Sequence, residues 1–175
     1  MDKLLTKSFR AAVFGSALGL ASVQVAQADG LAAATSEILL TVRGGIENTN
    51  AESAAVFDMA LLETLAQTTF TTTTIWTEGP QTFTGVELSV LLEALDAEGS
   101  VIRATALNDY AIEIPVSDAV TGGPIVAYLQ NGEPMAVREK GPLWIVYPYD
   151  SSPDYQTEQV YSRSIWQLAS IDVLP

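Results

Sequence analysis

Thr84-Gly85-Val86-Glu87, continuing as Leu88-Ser89-Val90-Leu91-Leu92-Glu93-Ala94-Leu95, is where the period of this chain turns helical. Leu88, Leu91, Leu92 and Leu95 recur at the three- and four-residue spacing of one helix face. The Thr84-x-x-Glu87 spacing predicts a capping box, in which the Thr hydroxyl serves the Glu amide and the Glu carboxylate reaches back. Gly99 then predicts a stop in a left-handed conformation. Upstream, Thr68 to Trp76 is dominated by threonine, whose β-branching favours a pleated strand. Downstream, Val101 to Leu107 and Tyr110 to Val116 predict a hairpin around Asn108-Asp109, residues that tolerate positive φ.

The remaining elements follow the same rules. Glu37 to Arg43 predicts a strand ended by Gly44-Gly45, and Asp58 predicts the cap of a short helix carrying Leu61, Leu62 and Leu65 on one face. Ile125 to Leu129 and Leu143 to Tyr147 predict strands, with Asn131-Gly132 turning between them and Pro148 closing the second. Ser164 to Val173 predicts a last strand. Strands outnumber helices and no regular βαβ alternation appears, so the expected class is α+β, a mixed β-sheet with short helices. No internal repeat or low-complexity linker divides residues 29–175, so one domain is expected there.

The first residues read as an address. Lys3, Lys7 and Arg10 precede the uncharged run Ala11 to Ala28, which ends Ala26-Gln27-Ala28 in the small-x-small pattern of a signal-peptidase site. Residues 1–28 are therefore expected to be a secretory signal peptide cleaved near Ala28, giving a periplasmic or secreted protein with no stable membrane insertion. The alternative, an uncleaved anchor, needs a longer apolar run without Gly15, Gly19 and Gln24. Lys7-Ser8-Phe9-Arg10 is not a twin-arginine pair, so export of an unfolded chain, without an inserted cofactor, is the default.

Composition removes whole classes of chemistry. The 175 residues include no His and no Cys, with 8 Lys plus Arg against 21 Asp plus Glu. Imidazole bases and metal ligands, thiolate nucleophiles, disulfides, zinc knuckles and iron–sulfur clusters are excluded. A net charge of −13 argues against nucleic acid as a partner. Without residues 1–28 the chain keeps five cations, Arg43, Arg103, Arg138, Lys140 and Arg163, and a formal charge of −15.

Three of those cations fall among Trp144, Tyr147, Tyr149, Tyr155, Tyr161 and Trp166. Aromatic faces with a few cations suit a planar, polar heterocycle. Trp144 and Tyr147 equally fit the core side of a strand. Tyr149, Tyr155 and Tyr161 fall in a Pro- and Ser-containing stretch read as a loop, where recognition is the readier explanation. Asn108-Asp109-Tyr110 is explained by turn chemistry alone, or presents an amide and a carboxylate at a site rim. The acids show no calcium-loop spacing.

Three stretches together resemble the oxidoreductase molybdopterin-binding domain, the sulfite-oxidase-type fold. They are Phe83-Thr84-Gly85-Val86-Glu87-Leu88 with Leu91-Leu92; Asn108-Asp109-Tyr110 with Ile112-Glu113-Ile114-Pro115; and Ala127 to Met135 leading through Lys140-Gly141-Pro142-Leu143-Trp144 to Tyr147-Pro148. The ending Ser164-Ile165-Trp166-Gln167-Leu168 with Ile171 fits the closing segment, so the resemblance runs in order over roughly residues 37–173.

In the catalytic family a cysteine on the strand before Phe-x-Gly-Val ligates molybdenum. Here that strand is Thr71-Thr72-Thr73-Thr74-Ile75-Trp76, and a Thr hydroxyl is a poor substitute for a soft thiolate. Small secreted members without the cysteine resemble periplasmic pterin-binding proteins of the PruR type. That resemblance implies a reduced, non-phosphorylated pterin as ligand, with the molybdenum cofactor unlikely. It also implies a partner, the periplasmic domain of a membrane sensor (a diguanylate cyclase or phosphodiesterase) in cyclic-di-GMP signalling. Hydrogen bonding is expected from Arg138, Lys140 and Arg163, and stacking from Trp144, Tyr147 and Trp166. Asn108, Asp109 and Tyr110 are expected at the rim and Trp76 as a wall. Two alternatives stand: a molybdopterin-dependent oxidoreductase with a non-cysteine metal ligand, and an interaction domain that keeps only the fold.

Overall fold

The computed structural model describes residues 30–175, so the expected signal peptide over residues 1–28 lies outside the described residues. In Leu40–Gly44 (β1), Leu40 and Val42 are buried and Thr41 and Arg43 turn outward, the period of two expected of a strand with one face on a core. β1 pairs in parallel with Leu168–Leu174 (β10) and antiparallel with Ala55–Phe57 (β2). β10 runs antiparallel to Val101–Ala106 (β5), and β5 to Ala111–Pro115 (β6), which completes a sheet in the order β2-β1-β10-β5-β6.

A second sheet is wholly antiparallel. Gln67–Thr72 (β3) pairs with Gln81–Glu87 (β4), and β4 with Ile125–Gln130 (β7). Glu133–Pro134 (β8) and Trp144–Val146 (β9) both pair with β7. The α+β class is as the sequence predicts, but the strands divide between two sheets and only the first is mixed.

Asp58 caps Met59–Thr64 (α1) as predicted, its Oδ1 accepting from the Leu61 amide at 2.9 Å. Its Oδ2 accepts from the amides of Thr35 (2.8 Å) and Ser36 (3.0 Å) and from the Ser36 hydroxyl (3.1 Å). Led by the Leu61 and Thr35 amides, these donors hold the carboxyl at about 2 against an ordinary 3.8. A depressed folded pKa contributes stability above the unfolded value and loses it as pH falls through the folded one. Asp58→Asn is therefore expected to flatten the acid-side loss of stability between about pH 4 and pH 2. Urea midpoints measured stepwise in pH check this, and an acid limb of unchanged slope refutes it.

The second helix corrects a prediction. Leu88–Ala94 (α2) buries Leu88, Leu91 and Leu92 as the spacing requires, but Glu87 makes no capping hydrogen bond. Thr84 stays in β4, its hydroxyl bonded across the strand to Thr69 at 2.8 Å. The buried Glu87 carboxylate instead accepts from the Thr68 hydroxyl (3.0 Å) and the Gly122 amide (3.2 Å). Strand pairing outweighs the local capping pattern here, because the whole Thr84 to Glu87 segment is claimed by the ladder with β7. Nor does Gly99 end the helix. Asp96 takes the positive φ of 47° just after it, while Gly99 lies against the backbone of Leu174.

Other boundaries move for equally local reasons. The threonine strand stops at Thr72, because the Thr73 amide and hydroxyl both turn to the Asp150 carboxylate at 2.6 Å. Asn131 (φ 54°) and Gly132 (φ 85°) form the β7–β8 turn and do not lead directly into the Trp144 strand. Glu158–Arg163 (α3) is a helix where a loop was expected, capped by the Thr157 hydroxyl on the Val160 amide. Among the described residues, no helix is long and apolar enough to cross a membrane.

Candidate functional site

Two turns and a short helix converge on one cleft. The tight β5–β6 turn sets Asn108 and Tyr110 on one side, with Asp109 at φ 65° making the bend. The Asn108 side-chain oxygen accepts from the Tyr110 amide at 3.2 Å, which leaves its NH2 free to face outward. Opposite stand Tyr161 and Ser162 of α3 and the segment Ser164 to Trp166, with Trp76 forming the end wall. The cleft, open to solvent on one side, has a volume of about 320 Å³, and no charged side chain lines it.

Trp76 is the hub of an aromatic cluster. Its ring lies 5.6 Å from Trp166, 5.8 Å from Trp144 and from Tyr161, and 6.3 Å from Tyr149, all edge to face. Edge-to-face contact sets the positive rim of one ring against the negative face of another, which fixes the cluster's geometry. Trp166 is 39% exposed and Tyr110 53%, so both keep surface for a ligand.

The structure brings together four of the sequence-predicted residues, Trp76, Asn108, Tyr110 and Trp166, and the other six do not line this cleft. Trp144 and Tyr147 are fully buried core residues. The Trp144 Nε1 donates to the Ser164 carbonyl at 3.2 Å, and the Tyr147 hydroxyl to Asp118 at 2.8 Å. Burial and the Asp118 charge push the Tyr147 hydroxyl well above the usual phenol range. Arg163 lies on the other side of α3, also bonded to Asp118 at 2.8 Å, and that cleft holds Tyr147 and Tyr155. Arg138 and Lys140 line a third, polar cleft. Asp109 serves the turn and does not line the aromatic cleft.

Tyr149, expected in a recognition loop, is buried and donates to the Ser164 hydroxyl at 2.7 Å, and its own hydroxyl is pushed up to about 12, chiefly by burial. Sequence reasoning left Ser162, Ser164 and Ile165 out of the site because it missed α3. The signal was present: Thr157 as cap, Glu158 in the first turn and Arg163 in the last.

The segment Thr71 to Thr74 has its hydroxyls committed. Thr71 bonds Thr82 (2.9 Å), Thr72 accepts from the Asp150 amide (3.0 Å), Thr73 bonds Asp150, and Thr74 bonds Thr77 (2.7 Å). The Thr73 hydroxyl and then its amide hold the Asp150 carboxyl below the ordinary range.

Fold and cleft define an α+β domain with an aromatic, uncharged receptacle at the edge of its first sheet. Residues 63–151 match the oxidoreductase molybdopterin binding domain, and the chain belongs to that family. No curated protein matches the sequence. Among 26 matching solved chains is one from the sulfane dehydrogenase SoxCD of Paracoccus pantotrophus, with a TM-score of 0.58 and 19% identity. The match covers 77% of this chain but 37% of that one, and at this identity it speaks to the fold alone.

The side chains present do not fit a protein-ligated molybdenum. The chain has no thiol, and the hydroxyls of the threonine segment are held in the hydrogen bonds above. Among the described residues, no group of three or more Asp or Glu is placed to hold a metal ion. The aromatic cleft also offers no cation on its wall for a phosphate dianion.

Proposed function

We propose that this protein is a periplasmic pterin-binding protein that performs no molybdenum redox chemistry. It takes a reduced, non-phosphorylated pterin and relays ligand status to a membrane sensor of cyclic-di-GMP signalling. The supporting observation is the cleft itself, uncharged and walled by Trp76, Trp166, Tyr110 and Tyr161. A flat neutral ring stacks on such walls, and its amide-like edge pairs with the free Asn108 NH2 and the Ser162 hydroxyl. The acidity of the chain disfavours a phosphate dianion and tolerates a neutral ring.

Titration with a tetrahydropterin, followed by tryptophan fluorescence, tests this reading, since two of the three indoles stand at the cleft. The wild-type protein is expected to show saturable quenching. Trp166→Ala is expected to bind about ten-fold or more weakly, the equivalent of one lost ring stack with its buried area. Arg163→Ala, across α3, is expected to leave affinity within about two-fold, because its guanidinium is spent on Asp118. No saturable change in the wild type overturns the proposal, as does stoichiometric molybdenum in protein isolated from its native compartment.

A further inference from the structure

We propose that the cleft's ligand carries a singly charged carboxylate beside its ring and that Lys140 reads it; this rests on the ring-binding reading above. The Lys140 Nζ lies 5.8 Å from the Trp166 ring centroid and 5.6 Å from that of Trp144. Trp166 is an exposed wall of the aromatic cleft, so the ammonium, in the polar cleft that Lys140 lines, lies against a ring that forms that wall. Arg103, Arg138 and Arg163 each have a carboxylate within 4 Å, from Glu113, Glu139 and Asp118. Arg43 and Lys140 have none among the described residues, and of these two it is Lys140 that lies within 6 Å of a ring lining the cleft. In a chain this acidic, an unpaired, half-buried ammonium is where an anion beside the cleft is attracted and not repelled.

The backbone carries a second, independent observation. Lys140 sits at φ 96°, ψ −7°, a left-handed conformation in which a glycine meets no penalty and a lysine does. Its carbonyl accepts from the Gln167 amide at 2.9 Å, so the segment that aims Trp166 also holds Lys140 in this state. Strain kept by its surroundings gathers at ligand clamps. The adjoining polar cleft of about 460 Å³ gives the ligand's arm a place to lie. Trp76, which lines the aromatic cleft, and Thr77, which lines the polar one, are consecutive residues. Glu133, Glu139 and Arg138 also line the polar side, and because Arg138 pairs with Glu139, Glu133 is left to favour an arm of one negative charge over a dianion.

The test compares three reduced pterins differing only at one side-chain position: hydroxymethyl, carboxylate and phosphate ester. Wild-type protein is expected to bind the carboxylate at least about ten-fold more tightly than the hydroxymethyl form, as for a charge-assisted hydrogen bond. The phosphate ester is expected to gain no such advantage. Lys140→Met keeps the stem, removes the charge and is expected to erase the preference, while Lys140→Arg restores part of it. Lys140→Asn, a residue at ease in left-handed backbone, repeats the comparison should the Met variant fold poorly. Equal affinities in the wild type, a preference that survives Lys140→Met and Lys140→Asn, or a preference for the phosphate ester overturns the inference and leaves the ring reading standing. No binding of any of the three overturns both.

Discussion

Trp144→Ala is expected to lower the stability of this protein by about 3–5 kcal/mol, the range for emptying a fully buried large aromatic. Trp144 has no exposed surface, and its ring packs edge to face on Phe83 at 5.3 Å and on Trp76 at 5.8 Å. Its Nε1 satisfies the buried Ser164 carbonyl, so the variant both opens a cavity and strands an acceptor. Urea unfolding measures the loss. Trp144→Phe is expected to recover part of it, by refilling space without restoring the donor. The same measurement separates two roles the sequence leaves open for this residue. A ligand-stacking Trp144 would lose affinity on truncation and keep its folding stability within about 1 kcal/mol, as substitutions away from packing do. That outcome would remove Trp144 from the core and return it to the site.

The Trp144 ambiguity shows what a linear pattern carries and what it withholds. Hydrophobic spacing and turn chemistry are local, so the face of α2, the Asp58 cap and the Asn108-Asp109 turn were all legible before any coordinates. Lost were facts of partnership. Nothing in Thr84-x-x-Glu87 says that a neighbouring strand will claim Thr84, or that the Gly122 amide will arrive at Glu87 from 35 positions away. Which residues line the cleft turns on partnership of the same kind. Arg163 and Tyr147 read as recognition residues because a few cations fall among aromatics in that part of the chain. Asp118, which binds both, lies in a different part of the sequence and neutralises the one while satisfying the other. Asn108, Tyr110 and Trp166 share the cleft because they sit at turns and strand ends, where a side chain keeps exposed surface, and Trp76 joins them from the edge of the core. Lys140 was legible as a cation near aromatics but not as a strained one, since nothing in its sequence context marks a positive φ.

Gly85→Ala is expected to be one of the most damaging single-methyl changes among the described residues. Gly85 is the third residue of Phe83-Thr84-Gly85-Val86, one of the stretches that carry the family resemblance, yet it does not line the aromatic cleft. A Cβ built on it lies 2.1 Å from the Val126 carbonyl oxygen and 2.6 Å from the Ala127 Cα, both of them backbone atoms of β7. Pairing between β4 and β7 shifts register at this point, between Thr84 and Gly85, so the two strands approach where β7 carries its extra residue, Tyr128. A flexible side chain can swing aside and limit such a clash to about 1–3 kcal/mol. A β-ladder cannot do so without breaking hydrogen bonds on both sides. The expected result is a loss larger than that range, seen as a collapsed denaturant midpoint or as insoluble expression. Thr84→Ala next to it, which removes only the exposed hydroxyl pair with Thr69, is expected to cost about 1 kcal/mol or less. A Gly85→Ala protein within about 1 kcal/mol of the wild type would mean that the close approach relaxes freely. The glycine's place in this motif would then need a reason at the cleft and not in the packing of two strands.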